Sequence, residues 1–124
     1  MNKAILIGNI GKEPELKKVG EVSYCAFTLA TNESYKDKNG EWQTKTEWHN
    51  IVVWRNAAEY AAKYLKKGNL TSIEGKITTR SWEDKEGNKK YTTEIIAERV
   101  KLLEKKTKQE EAPQDDESGD DLPF

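Results

Sequence analysis

Hydrophobic and polar positions alternate along most of this chain with the period of a β-strand. From Ser23 to Thr31, Cys25, Phe27 and Leu29 share one face at period two. That face predicts a core strand in which Cys25 is a packing residue and not a nucleophile. Lys3 to Ile7 reads as a short buried strand that ends at the turn Gly8-Asn9-Ile10-Gly11. Residues 46–54 (TEWHNIVVW), 70–82 and 91–103 predict three more strands. The segment SYKDKNGEWQTK, residues 34–45, contains the turn pair Asn39-Gly40 and predicts a protruding hairpin arm. Residues 84–90, DKEGNKK, predict a second turn. Helical spacing occurs once, at Ala58, Ala61, Ala62 and Leu65, with Asn56 and Glu59 placed like a capping box and Gly68 like a C′ glycine. From about Lys105 onward periodicity stops, and the polar run predicts disorder.

Four or five strands with one short helix after the third predict an all-β protein. The architecture that fits is a five-stranded OB-fold barrel with a β-hairpin arm and a disordered acidic C-terminal tail. An SH3-like barrel is the competing topology. The expected organisation is a barrel domain over 1–105, a linker over 106–119 and a tip over 120–124.

Size and charge sharpen this picture. A chain of 124 residues makes one domain with a modest core, so association of copies would help it. The net charge of −1 conceals a split. All 21 basic residues lie within 1–108, against 15 of the 22 acids, while the last sixteen residues hold seven acids and no base. A basic body suits a polyanion, and an acidic tail suits a protein with a basic pocket. With one cysteine there is neither an internal disulfide nor a cysteine zinc site, which fits a reducing compartment. The apolar start is too short and too interrupted for a signal peptide, and no run approaches the length of a membrane span. A cytoplasmic protein is expected.

The tryptophans carry the chemistry. Trp48 and Trp54 are six residues apart, so a strand puts them on one face about 20 Å apart. Trp82 shares its face with Arg80 and Lys76. A core tryptophan would have apolar neighbours on its own face, and here Ile73, Gly75 and Ile77 make the better core face. Aromatic rings on a polar, cationic face suit unpaired nucleobases, with Lys36, Lys38, Arg55, Lys67, Lys76 and Arg80 following the phosphates. Stacking accepts any base, so binding would be independent of sequence. The bland alternative is that each tryptophan is core or subunit interface, and it loses weight because three occur together beside the bases.

Other features carry less. His49, the single histidine, reads as a packed or interface imidazole. Gly8-Asn9-Ile10-Gly11 resembles a GXXG loop by letters alone, without the flanking helix. Tyr60 and Tyr64 are explained by packing. No nucleophile elbow, P-loop or metal-ligand spacing is present, so a non-catalytic protein without cofactor or metal is expected. At the end of the acidic tail, Asp120 and Asp121 precede Leu122, Pro123 and Phe124, an apolar bait for a protein partner. Two competitors stay open: an RNA-binding OB-fold chaperone, and an adaptor whose basic face meets an acidic protein.

Several stretches in order, NKAILIGNIGKEPE, FTLATNESYKDK, TEWHNIVVW, YLKKG, IEGKITTRSW, YTTEI and DDLPF, resemble the bacterial single-stranded DNA-binding protein family. The resemblance implies an OB-fold that assembles as a homotetramer and wraps single-stranded DNA in replication, recombination and repair, in the cytoplasm at the nucleoid. It implies stacking by Tyr35, Trp48, Trp54 and Trp82, and phosphate contacts from Lys36, Lys38, Lys67 and Arg80. It places His49 near a subunit interface. It also implies that the DDLPF tip recruits helicases, exonucleases and other replication or repair proteins. This chain departs from many relatives at Tyr35, where they carry tryptophan, at Trp54, where they carry phenylalanine, and in its short linker.

Overall fold

A computed structural model of the chain describes residues 1–105. Its elements are β1 (Ala4–Ile10), β2 (Glu15–Val19), β3 (Val22–Lys36), β4 (Trp42–Trp54), α1 (Arg55–Tyr64), β5 (Leu70–Glu83) and β6 (Lys89–Glu104). The sheet runs β1-β5-β6-β4-β3 and closes where Asn9 and Ile10 of β1 pair with Ala30 and Leu29 of β3. All neighbours are antiparallel except β4 and β6, which run parallel through Ile51↔Ile95 to Val53↔Ala97. This is the five-stranded OB-fold barrel that the alternation predicts. Strand β2 is an addition that pairs only with β3, continuing along the edge that β1 leaves.

Period two builds the core. Cys25, Phe27 and Leu29 from β3, Ile51 and Val53 from β4, Ile73 from β5 and Ile95 from β6 all point inward. Helix α1 adds Ala58 and Ala61, and Leu65 follows them into the core just past the helix end. Burial raises the pKa of the Cys25 thiol, which donates to the Ala58 carbonyl at 3.3 Å.

Local expectations fail in four places. Strand β1 runs through Gly8 and Asn9 to Ile10, so no loop begins at Gly8. Its Ile5 and Ile7 face outward, as does Ile77 on β5, so each strand is only half buried. The helix begins at Arg55, with Trp54 as N-cap and no side-chain cap, which leaves Asn56 inside the first turn. Arg55 itself takes φ 60, a left-handed value uncommon outside glycine, because β4 must turn sharply into α1. The helix ends at Leu65, whose N–H bonds to the Ala61 carbonyl, and Gly68 belongs to the following turn.

Two ribbons extend beyond the barrel. The first arm is the outer part of β3 and β4, and the second is the outer part of β5 and β6. Their tips are built alike, as Asp37-Lys-Asn-Gly40 and Asp84-Lys-Glu-Gly87. In each, one carboxylate oxygen accepts two backbone N–H bonds of 2.9 Å, from Asn39 and Glu41 or from Glu86 and Asn88. Gly40 and Gly87 supply the positive φ that closes each turn. These bonds to Glu41 and Asn39, with one from the Gln43 amide, hold the Asp37 carboxyl below its ordinary pKa, the Glu41 bond contributing most.

Candidate nucleic-acid interface

The pairing of β3 with β4 runs without a bulge from Tyr24↔Trp54 to Lys36↔Trp42. Unbroken pairing keeps side-chain alternation in phase for the whole ribbon. One face therefore carries Trp42, Trp48 and Trp54, with Asn50 and Val52 between the last two. Trp48 is 60% exposed and Trp54 38%, so neither is a core residue. Val52, on the same face, is buried.

Each ring is held differently. The Trp54 ring centroid lies 5.2 Å from that of Tyr24, its cross-strand partner, at a tilt of 33°. Trp48 lies against Gly11, where an added Cβ would stand 2.3 Å from the ring atom Cζ3. Gly11 is anchored by its own N–H, which donates to the Thr28 carbonyl at 2.8 Å. The missing side chain at Gly11 thus makes room for the indole.

On the second arm, Trp82 is 44% exposed and its Nε1–H donates to the Thr92 hydroxyl at 2.9 Å. Arg80, two residues before it, is already engaged. Its Nε and Nη2 both donate to Glu94, at 3.2 Å each. Glu94 raises the arginine pKa further, by hydrogen bonding first and by charge second. The Arg80 side chain stays mostly in water while that of Glu94 is only 12% exposed, so the pair sits at the wall of a groove and not in a core.

That groove joins the two ribbons. Lys12, Thr28, Asn50, Val52, Arg80, Thr92 and Glu94 all line a hollow of about 270 Å³. A neighbouring hollow of about 260 Å³ shares Asn50 and Glu94 and is lined by Trp48 as well. The structure therefore brings the Trp48 face and the Arg80 face of the two ribbons together.

The remaining expected residues are more scattered. Lys36 places its ammonium 5.8 Å from the Trp42 ring centroid. Lys38 is exposed in the first tip, and Arg55 is exposed directly after Trp54. Lys67 is exposed in the turn before β5, next to Gly68, whose N–H bonds to the Ile10 carbonyl beside Gly11. Lys76 is exposed on β5, at even spacing from Arg80 and Trp82. Tyr35 is half exposed but pairs with Gln43 on the opposite face of the first arm, the face of Glu33 and Glu47. His49 is on that opposite face too, with Nε2 2.8 Å from the Thr31 hydroxyl, in a cleft of about 370 Å³ shared with Ile5 and Ile7. Asp120, Asp121, Leu122, Pro123 and Phe124, with the linker before them, lie outside the described residues.

Sequence reasoning missed Lys12, Thr92 and Glu94, which line the groove only once the two ribbons meet, and Tyr24 and Gly11, which seat Trp54 and Trp48. Trp42 was legible: it stands six residues before Trp48, as Trp48 stands six before Trp54. Chemically, the arrangement offers wet aromatic faces, amide and hydroxyl groups, and exposed cations, of which Arg80 is paired with Glu94. Among the described residues, no three His, Cys, Asp or Glu side chains converge as metal ligands would.

Comparison with known proteins gives a consistent result. The profile described as the single-strand binding protein family matches residues 1–103. The chain is 47% identical over 105 residues to the single-stranded DNA-binding protein 1 of Chlorobaculum tepidum, covering 83% of this chain and 65% of that protein. It is 43% identical over 105 residues to the single-stranded DNA-binding protein of Neisseria meningitidis serogroup A, covering 83% and 60%. The matched region thus spans less than two thirds of either relative. Among solved structures, the Plasmodium falciparum SSB in complex with ssDNA superposes with a TM-score of 0.74 at 37% identity, covering 86% of this chain and 96% of that one.

Proposed function

This chain belongs to the single-strand binding protein family, and on that premise we propose that it coats single-stranded DNA without regard to sequence. The observation that carries the proposal is the groove between the ribbons, lined by Trp48 on one and Arg80 on the other, with Trp54 and Trp82 exposed farther along the same two strand faces. Bases stack on the rings at roughly 1–3 kcal/mol each, and the cations follow the phosphates. A duplex, whose base faces are hidden, offers nothing to those rings. Lys12 and Arg80 line the groove, Arg55 follows Trp54, and Lys36, Lys38, Lys67 and Lys76 lie along the arms and turns around it. Tyr35, on the reverse of the first arm, is reached by a strand that passes round the arm.

The rest of the proposal concerns assembly and partners. Exposed Ile5 and Ile7 beside half-buried His49 form an apolar strip on the outer side of β1, which supports self-association into a homotetramer. The protein acts in the cytoplasm, at the nucleoid, where replication, recombination and repair expose single strands. Its domain ends near residue 105, and the tip Asp120 to Phe124 recruits helicases, exonucleases and other repair proteins. Phe124 fills an apolar pocket, Asp120 and Asp121 meet a basic rim, and Pro123 restricts the free peptide and so reduces the entropy lost on docking.

Tryptophan emission during titration with oligo-dT, a matched duplex and a matched RNA, at low and high salt, tests the interface. Strong quenching by the single DNA strand, weakened by salt, is the expected result. An equal response to RNA would instead favour an RNA-binding OB protein, and no response would refute the groove as a site. A chain lacking residues 120–124 should keep its DNA affinity or gain some, while losing capture of partner proteins. A clear drop in DNA affinity would contradict the role given to the tip.

A further inference from the structure

We propose that Trp42, at the far end of the first arm, is an additional stacking site for an unpaired nucleobase, with Lys36 as its partner for the adjoining phosphate. The inference rests on the single-strand reading above and extends the interface beyond the barrel.

Three observations carry it. Trp42 is 69% exposed, more than any other tryptophan, and its only ring neighbour of note is the Lys36 ammonium. An indole left this wet at a hairpin end contributes nothing to the core, since the arm has none. Second, the unbroken register puts Trp42 on the same face as Trp48 and Trp54, at equal six-residue steps. With a rise of about 3.3 Å per residue, the three rings are spaced by about 20 Å along one strand.

The third observation is electrostatic. Between the Tyr24–Trp54 pair and the Lys36–Trp42 pair, the tryptophan face carries no Asp or Glu at all. The acids of the arm's strands, Glu33 and Glu47, both lie on the reverse face with Tyr35. A polyanion that leaves Trp48 along the arm meets Thr46, Thr44, Asn32 and Ser34, and then Lys36 beside Trp42. No carboxylate stands on that path before the tip, where Asp37 and Glu41 flank the Lys36–Trp42 pair. The reverse face sets Glu33 and Glu47 around Lys45 before Tyr35 is reached, so the direct continuation from Trp48 runs along the face of Trp42.

Replacing Trp48, Trp54 and Trp82 by Phe leaves Trp42 as the only indole in the full chain, because there are four tryptophans in all. Its emission is followed as oligo-dT is added, while anisotropy of a labelled oligomer reports binding separately. Quenching of Trp42 together with protection from acrylamide is expected. Binding without any change at Trp42 would overturn the inference.

Should that triple variant fail to bind, Trp42→Ala and Trp42→Phe in the native chain decide. The alanine variant should lose about five- to a hundredfold in affinity and the phenylalanine variant much less, since either ring stacks. A loss under twofold for alanine, or a loss accompanied by a changed assembly state, would overturn the inference. If the unaltered chain itself does not bind oligo-dT, it is the single-strand reading that fails, and the inference goes with it.

Discussion

The two arms end in the same Asp-Lys-X-Gly turn, yet they hold their functional side chains in opposite ways. On the second arm everything is tied down: Trp82 bonds to Thr92, and Arg80 is bidentate to Glu94. On the first arm the rings are held by shape and by a loose cation, Trp48 over Gly11 and Trp42 beneath Lys36. The difference teaches that the candidate interface combines a preorganised arm with an adaptable one. A preorganised ring loses little entropy on binding, whereas an adaptable ring can follow a flexible strand. A binder of any sequence has use for both.

The largest expected effect comes from spoiling the shape that holds Trp48. Gly11→Ala puts a methyl group where the indole lies, so the ring must leave its seat. Affinity for oligo-dT should fall by up to the value of one stacked base, about 1–3 kcal/mol, with the fold intact by circular dichroism. Undiminished binding would mean that the first arm tolerates displacement of its ring, and that its adaptability is greater than the close approach suggests.

Loosening the second arm should act in the other direction. Glu94→Gln removes the carboxylate that occupies Arg80, freeing the guanidinium for a phosphate. The guanidinium of this pair stays in water and the glutamine keeps the shape of the side chain it replaces, so the fold should not suffer. Binding should tighten at low salt, and the plot of log affinity against log salt should steepen by about one unit. An unchanged slope would show that Arg80 serves Trp82's arm and not the ligand.

The smallest effect is expected at the first tip and depends on pH. The folded pKa of Asp37 is depressed, by the Glu41 N–H first and the Gln43 amide second. Its contribution is therefore present above the ordinary carboxyl pKa of about 4 and is lost as pH falls through the lower folded value. Protection of the Asn39 and Glu41 amides, taken relative to the intrinsic exchange rate at each pH, should fall under acid, and Asp37→Ala should reproduce this at neutral pH. DNA affinity should change little, because the tip shapes the arm without touching the groove.

Much of the candidate interface's geometry was legible because β alternation is a local property. The faces of Trp48, Trp54 and Trp82 follow from period two alone, and so does the burial of Cys25, Phe27, Leu29, Ile51 and Val53. Periodicity also identified the first arm, since Asn39-Gly40 is a turn signal that needs no tertiary help. It went astray where a residue's surroundings come from elsewhere in the chain. Ile77 has the pattern of a core residue but sits where β5 has left the barrel. Asn56 is spaced for a cap, but the tight exit from β4 puts the N-cap two residues earlier, at Trp54.

The sequence by itself determined which residues share a strand face, because that depends only on neighbours two positions apart. Only the tertiary structure decided which faces meet. Arg80 and Glu94 are fourteen residues apart in sequence, and Gly11 and Trp48 thirty-seven. Pairing of β5 with β6 and closure of β1 onto β3 bring them into contact. The physical reason is that strand pairing satisfies backbone hydrogen bonds between distant segments, and its register is settled only when the shared core is packed.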